Sequence, residues 1–125
     1  MRSKNFKYVL IFGVISFFFG NYAFGQLSKA NTYFEEGKYA DAIVYYAKTL
    51  KKDAKNIEAT ENIAFSYRKL KDYPNAETFY AKAVELNPDE SANYLYYGQS
   101  LKNNDKVREA KVQFEKFLAK NPSSL

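Results

Sequence analysis

The feature that most constrains the fold is a 34-residue period that runs through all of the chain except its N-terminal segment. Residues 57–90 read IEATENIAFSYRKLKDYPNAETFYAKAVELNPDE, and residues 91–124 align with them as SANYLYYGQSLKNNDKVREAKVQFEKFLAKNPSS. Residues 23–56 continue the same register toward the N-terminus. A period of this length predicts small structural units, each of which buries its apolar face against the next unit.

Each repeat is predicted to be a helix, a short turn and a second helix. Ile63, Ala64 and Leu70 show the spacing of one apolar helix face. Asp72 can cap the second helix, and Pro74 is tolerated in a first helical turn. Small residues then allow the paired helices to approach closely, and aromatic residues fill the space beside them. The small columns are Ala30, Ala64 and Gly98, then Ala42, Ala76 and Ala110, and the aromatic column is Tyr46, Tyr80 and Phe114.

These columns resemble those of the tetratricopeptide repeat family, over residues 26–125. The first repeat departs from the pattern at Lys29 and Ala54, as terminal repeats often do. The resemblance implies an all-α fold, a right-handed superhelix (an α-solenoid) of three repeats at residues 23–56, 57–90 and 91–124. The second repeat fits the family pattern at Ile63, Ala64, Tyr67, Ala76, Tyr80, Ala83 and Pro88.

A stack of this kind has a concave face lined by the first helix of each repeat, which such proteins use for binding. We expect a peptide or partner protein there, with aromatic rings as anchors and charges fixing its position. Alternatively, Phe34 and Phe65 simply pack between neighbouring helices. The basic residues Arg68, Lys69 and Lys102 could meet an acidic partner segment or form a solvated face. The predicted concave residues are Asn31, Phe34, Glu35, Glu61, Phe65, Arg68, Lys69, Leu95, Gln99 and Lys102, with Leu27, Glu58 and Asn103 beside them.

A group of cytosolic co-chaperone domains in this family holds the C-terminal carboxylate of a peptide with two asparagines and several basic residues. By column, Asn31 and Asn62 match the asparagines. The basic positions fall on Leu27, Ala92 and Tyr96, none of which carries a charge. We therefore expect no carboxylate clamp, because an anion would lack charge-assisted hydrogen bonds.

The first 25 residues have the three parts of a secretory signal peptide. Residues 1–7 are basic, residues 8–19 are uncharged and largely apolar, and Ala23 and Gly25 provide a small-x-small end. This predicts cleavage between Gly25 and Gln26. An uncleaved membrane anchor is the alternative, although spanning a bilayer takes about 20 apolar residues.

Export would place the protein in the periplasm or the outer-membrane-associated envelope of a Gram-negative bacterium. The FGQ sequence at residues 24–26 resembles the signal ends of exported Bacteroidota proteins. In some of their cell-envelope proteins, such repeats precede a β-propeller and an OmpA-type peptidoglycan-binding domain. That resemblance implies an alternative role as a docking module of a secretion or gliding assembly. Membrane contact is then expected only through the signal segment or assembly partners.

Composition excludes several other functions. The 125 residues contain no His and no Cys, so Cys/His zinc sites, thiol nucleophiles and Ser-His-Asp triads are impossible. The net charge of +5 includes three positive charges in residues 1–7, which leaves the repeats near balance and disfavours nucleic-acid binding. We expect no enzyme activity, cofactor, metal or small-molecule substrate. Tyrosines outside the packing columns are partial candidates for sugar stacking, namely Tyr45, Tyr73, Tyr94, Tyr96 and Tyr97.

The last repeat carries Phe117 in the column where the second repeat has Ala83, and the sequence given stops at Leu125. A helix that usually covers the last pair is missing from this sequence. We therefore expect either a longer native chain or self-association through this end face. The side chains expected to be partly open to water are Tyr97, Leu101, Phe114, Phe117 and Leu118.

Overall fold

The computed structural model describes residues 22 and 24–124, which form six α-helices and a short 3-10 turn and contain no β-strand. The predicted signal peptide lies almost entirely outside these residues. Among the helices described, none is long and apolar enough to cross a membrane. The helices are α1 (residues 24–35), α2 (Tyr39–Lys52), α3 (Ile57–Lys69), α4 (Tyr73–Leu86), α5 (Ser91–Asn103) and α6 (Val107–Lys120), followed by the turn Pro122–Ser124.

The helices repeat with the period of the sequence. The helices α2, α4 and α6 begin at Tyr39, Tyr73 and Val107, each 34 residues after the one before. The same spacing separates the starts of α3 and α5, at Ile57 and Ser91. The prediction of an all-α helical repeat solenoid is thereby confirmed. We call α1, α3 and α5 the A helices, and α2, α4 and α6 the B helices.

The turn from A helix to B helix is built in the same way in all three repeats. Gly37, Lys71 and Asp105 occupy equivalent positions and have φ angles of 71°, 60° and 61°. In the second repeat the N–H of the following residue, Asp72, donates to the carbonyl of Tyr67, which completes a Schellman motif. The Asp72 carboxylate also accepts from the Asn75 N–H, which confirms the predicted cap of α4.

Small and aromatic columns form the core as predicted. Ala30, Ala42, Ala64 and Ala76 are fully buried, so adjacent helices approach each other without intervening side chains. The large rings of Tyr46 and Tyr80 are also completely or almost completely buried. Such volume matching fixes the position of each helix against the next.

Successive A helices are linked by side-chain contacts, whereas the C-terminal ends of α2 and α4 are separated by an open cleft. The ring of Phe34 in α1 lies 5.3 Å from that of Phe65 in α3. The Asn93 amide of α5 donates to the Glu61 carboxylate of α3. On the B side, the cleft is lined in part by Leu50 and Leu86. The stack is therefore joined by side-chain contacts along the A helices, the side on which the concave face is expected.

Two expectations about exposure were wrong. Leu101 is only 2% exposed, although it was expected to be partly open to water, because α5 packs extensively against α6. Tyr94 is buried, and its hydroxyl donates to the Pro88 carbonyl, so it offers no surface for sugar stacking. The other side chains expected to be partly open are half-buried, namely Tyr97, Phe114, Phe117 and Leu118.

Candidate functional site

All ten residues predicted to line the concave face remain accessible on the A helices. None is buried, and Glu35, Lys69 and Lys102 are exposed while the other seven are half-buried. We call this surface the groove. Its α1 end contains an open cleft of about 380 Å³ lined by Phe24, Leu27, Ser28, Asn31, Thr32, Glu35 and Glu58.

The two asparagines of the groove are joined through the hydroxyl of Tyr46. This hydroxyl donates to the Asn31 side-chain oxygen at 2.6 Å and accepts from the Asn62 amide at 2.9 Å. The Asn31 amide in turn donates to the Glu58 carboxylate at 2.7 Å. Both asparagines thus have partners within the chain, and the partner of Asn31 is itself a carboxylate.

The environment of Tyr46 strongly favours its neutral form. Burial raises the pKa of the Tyr46 hydroxyl to about 12, and the carboxylates of Glu58 and Glu35 act in the same direction. The hydrogen bond from Asn62 opposes them. The hydroxyl is therefore a stable connector between α2 and the A helices near neutral pH, and the α1 end of the groove is negatively charged.

The centre of the groove is aromatic. The rings of Phe34, Tyr39 and Phe65 contact one another, with centroid distances of 5.3 to 6.0 Å. The packing alternative for the two phenylalanines is therefore what the structure shows. All three rings are nevertheless half-buried, so one side of this aromatic centre still faces solvent.

Arg68 lies beside the aromatic centre and is held by aromatic groups. Its guanidinium carbon is 4.2 Å from the Tyr96 ring centroid and 4.9 Å from that of Phe65. Its Nε also donates a long hydrogen bond of 3.4 Å to the Tyr80 hydroxyl. Burial raises the pKa of Tyr80 to about 12, with Arg68 acting in the opposite direction. The arginine therefore bridges α3, α4 and α5.

Other predicted residues have different surroundings. The Glu61 Oε1 atom accepts from both Asn87 and Asn93, so this carboxylate links α3 to α5. Lys69 lies at the edge of the aromatic centre, about 6 Å from the Tyr39 and Phe65 rings. Leu95, Gln99 and Lys102 lie on α5 and are not joined to Arg68 by any side-chain hydrogen bond or ion pair in the described part of the chain.

Sequence reasoning missed Tyr39 and the role of Tyr96. Tyr39 is the first residue of a B helix, yet its ring joins the aromatic centre. Tyr96 was expected to be an uncharged position and a partial candidate for sugar stacking, whereas its ring packs against the Arg68 guanidinium. A signal was available for Tyr96, because an aromatic residue on α5 facing an arginine on α3 can form a cation–π contact. Among the described residues, no cluster of Asp and Glu side chains could hold a metal ion.

Comparisons with known proteins agree with this architecture. Two sequence models of the tetratricopeptide repeat match residues 33–96 and 92–124. The chain therefore belongs to the tetratricopeptide repeat family.

Its relatives include parts of much longer proteins. Human RNA polymerase II-associated protein 3 is 34% identical over 96 residues, which covers 77% of this chain and 14% of that protein. Hsp70-Hsp90 organizing protein 3 of Arabidopsis thaliana is 32% identical over 103 residues, covering 80% and 18%. The chain thus spans less than a fifth of the length of these curated relatives.

Solved structures show the same fold. The first TPR domain of Spaghetti (RPAP3), bound to the HSP90 peptide SRMEEVD, matches with a TM-score of 0.72 and 34% identity over 80% of this chain and 79% of that one. The second TPR domain of human RPAP3, in complex with an HSP70 peptide, matches with a TM-score of 0.73 and 31% identity over 80% and 83%. MamA, at 21% identity and a TM-score of 0.75 over 80% and 58%, shares the fold.

Proposed function

We propose that this protein is an interaction scaffold that binds a peptide or an extended segment of a partner protein in its groove. The observation that carries the proposal is the half-exposed aromatic centre with Arg68 beside it. Large rings with a fixed arginine are the side chains that most often anchor a protein partner. Related TPR domains hold peptides of HSP90 and HSP70, which supports the same use of this fold here.

The proposed mechanism is rigid presentation of side chains and involves no chemical step. The A helices are fixed by the buried alanine columns and by the Schellman turns, so little conformational entropy is lost when a partner binds. We do not propose that this groove holds a terminal carboxylate as a clamp. The Asn31 amide already donates to Glu58, and Leu27, Ala92 and Tyr96 supply no charge.

We also propose that the protein is exported, on the basis of the basic, apolar and small segments of residues 1–25. Cleavage after Gly25 would leave Gln26 in the first turn of α1, ahead of the first groove residues. In an envelope, the repeats could serve as the docking module of a larger peptidoglycan-linked assembly. Intact-mass measurement of the protein recovered from a cell-envelope fraction tests export. We expect a terminus at Gln26, and an intact Met1 terminus in the cytoplasmic fraction would contradict it.

The binding proposal is tested by affinity capture with matched variants. Partners captured by the purified chain should be lost with Phe65→Ala, which removes one ring of the aromatic centre. Val112→Ala on α6 is the control, because Val112 is 46% exposed and lies on a B helix. Helical content by circular dichroism should be equal in all three proteins. Equal capture by both variants would contradict binding in the groove.

A further inference from the structure

Arg68 differs from the other basic residues of the repeats in having a fixed, partly desolvated position. Its guanidinium lies against two rings, Tyr96 at 4.2 Å and Phe65 at 4.9 Å, and its side chain is half-buried. Stacking of this kind orients the planar guanidinium group and reduces the conformational entropy lost when this group binds an anion. Lys69 and Lys102, in contrast, are exposed on flexible side chains.

No carboxylate of the described residues pairs with Arg68. Ion pairs in this part of the chain join Lys38 to Glu36, Lys106 to Glu77, Lys111 to Glu115 and Lys120 to Asp89. The Glu61 carboxylate, on the same helix as Arg68, accepts from two asparagines instead. Of the five N–H donors of the Arg68 guanidinium, only the one on Nε has a hydrogen-bond partner among residues 24–124, the Tyr80 hydroxyl. The terminal nitrogens of Arg68 are thus free to meet a carboxylate from outside the chain.

The two ends of the groove favour opposite charges. At the α1 end, Glu35 and Glu58 line the cleft, and the Glu58 carboxylate accepts a hydrogen bond from the Asn31 amide. An acidic group entering there would meet the negative charge of Glu35 and Glu58. Between α3 and α5, Arg68 offers an unpaired positive charge next to the aromatic centre. A partner that places an acidic group over Arg68 and an apolar group on the aromatic centre satisfies both features.

We propose that the groove recognises an internal acidic side chain of its partner, Asp or Glu, through the terminal nitrogens of Arg68, with a neighbouring apolar side chain on Phe34, Tyr39 and Phe65. This inference rests on the proposed function and specifies the chemistry of the partner. The groove recognises an internal stretch of the partner's sequence, and the terminal carboxylate of the partner is not required.

Selection from two displayed random-peptide libraries tests the proposal. In one library the random segment is fused at both ends, and in the other it ends in a free carboxylate. The targets are the unaltered chain, Arg68→Gln and the control Lys51→Gln, which removes an exposed charge from α2. The unaltered chain and the control should enrich peptides from the fused library that have Asp or Glu beside an apolar residue. Arg68→Gln should lose the acidic preference.

A synthetic, amidated version of the most enriched peptide gives a second measurement that leaves the protein unchanged. Replacing its acidic residue by the matching amide should weaken binding about tenfold or more, because one charge-assisted hydrogen-bonded pair is lost. Arg68→Lys keeps the positive charge but not the planar guanidinium group. Its affinity for the acidic peptide should lie between those of the unaltered chain and Arg68→Gln. Circular dichroism of each variant establishes that it is folded.

The outcomes separate the two proposals. Enriched peptides without an acidic preference would overturn the role of Arg68 and leave the binding function standing. Enrichment from the free-carboxylate library alone would also overturn it, in favour of recognition of the peptide terminus. Failure of both libraries to enrich on the folded chain would contradict the binding function itself, and the inference with it.

Discussion

A Cβ atom placed on Gly98 would lie 2.6 Å from Cε1 of the Phe114 ring, closer than carbon atoms approach without displacement. Gly98 occupies the small column of the A helices, and Phe114 the aromatic column of the B helices. The pair therefore shows how the third repeat is held together: α5 and α6 approach until an aromatic ring fills the place of a side chain.

Gly98→Leu should lower the free energy of unfolding by about 1–3 kcal/mol, because the added side chain overpacks this contact. Gly98→Ala should cost less, since alanine gains about 0.5–1 kcal/mol over glycine within a helix. Chemical denaturation measures both changes. Combining Gly98→Leu with Phe114→Ala should recover part of the loss, and strictly additive costs would contradict the contact.

Tyr46→Phe should destabilise the protein by about 1–2 kcal/mol, because the half-buried side chains of Asn31 and Asn62 would each lose a hydrogen bond to this hydroxyl. Tyr73→Phe is the matched control, since the Tyr73 hydroxyl has no hydrogen bond among the described residues and the same atom is removed. Equal effects of the two substitutions in chemical denaturation would show that the hydroxyl network contributes nothing.

Stability should fall as the pH rises from 10.0 to about 12. Burial raises the pKa of Tyr46 and of Tyr80 from 10.0 to about 12, so in this interval the folded protein holds protons that the unfolded chain has released. The stabilisation from these hydroxyls is complete below pH 10.0 and is lost progressively above it. Denaturation at a series of pH values measures this loss. The decline should be shallower in Tyr46→Phe, and an identical slope would contradict the assignment.

The peptide SRMEEVD should show no dependence on its free terminus. We expect its affinity with a free carboxylate and with a C-terminal amide to differ by less than about twofold, as for a site without a charged terminal partner. Isothermal titration calorimetry makes the comparison. If amidation alone abolished binding, the groove would hold a terminal carboxylate despite the uncharged Leu27, Ala92 and Tyr96.

The repeat period allowed most of the fold to be predicted, because residues in the same column make the same kind of packing contact in each repeat. Ala42, Ala76 and Tyr80 lie where their columns place them, and Asp72 caps α4 as expected. Leu101 was misplaced because the missing neighbour at the end of the stack was expected to expose it, whereas the packing of α5 against α6 within the same repeat leaves it buried.

The groove was predicted in outline but not in its contacts. The columns assign Phe34, Phe65 and Arg68 to the A helices, where all three are half-buried, and their use by a partner stays a prediction. The columns could not show that the Glu58 carboxylate accepts a hydrogen bond from the Asn31 amide. Nor could they show that the Arg68 guanidinium lies over the Tyr96 ring. Such contacts join residues from different repeats, and they depend on side-chain conformations that no single repeat determines.

Nuclear magnetic resonance of the isotope-labelled chain, titrated with the most enriched amidated peptide, tests the central claim most directly. The groove account predicts that the backbone amides with the largest shift changes lie on α1, α3 and α5 and cluster around Phe65 and Arg68. The largest changes on α2, α4 and α6, with the A helices unaffected, would contradict it.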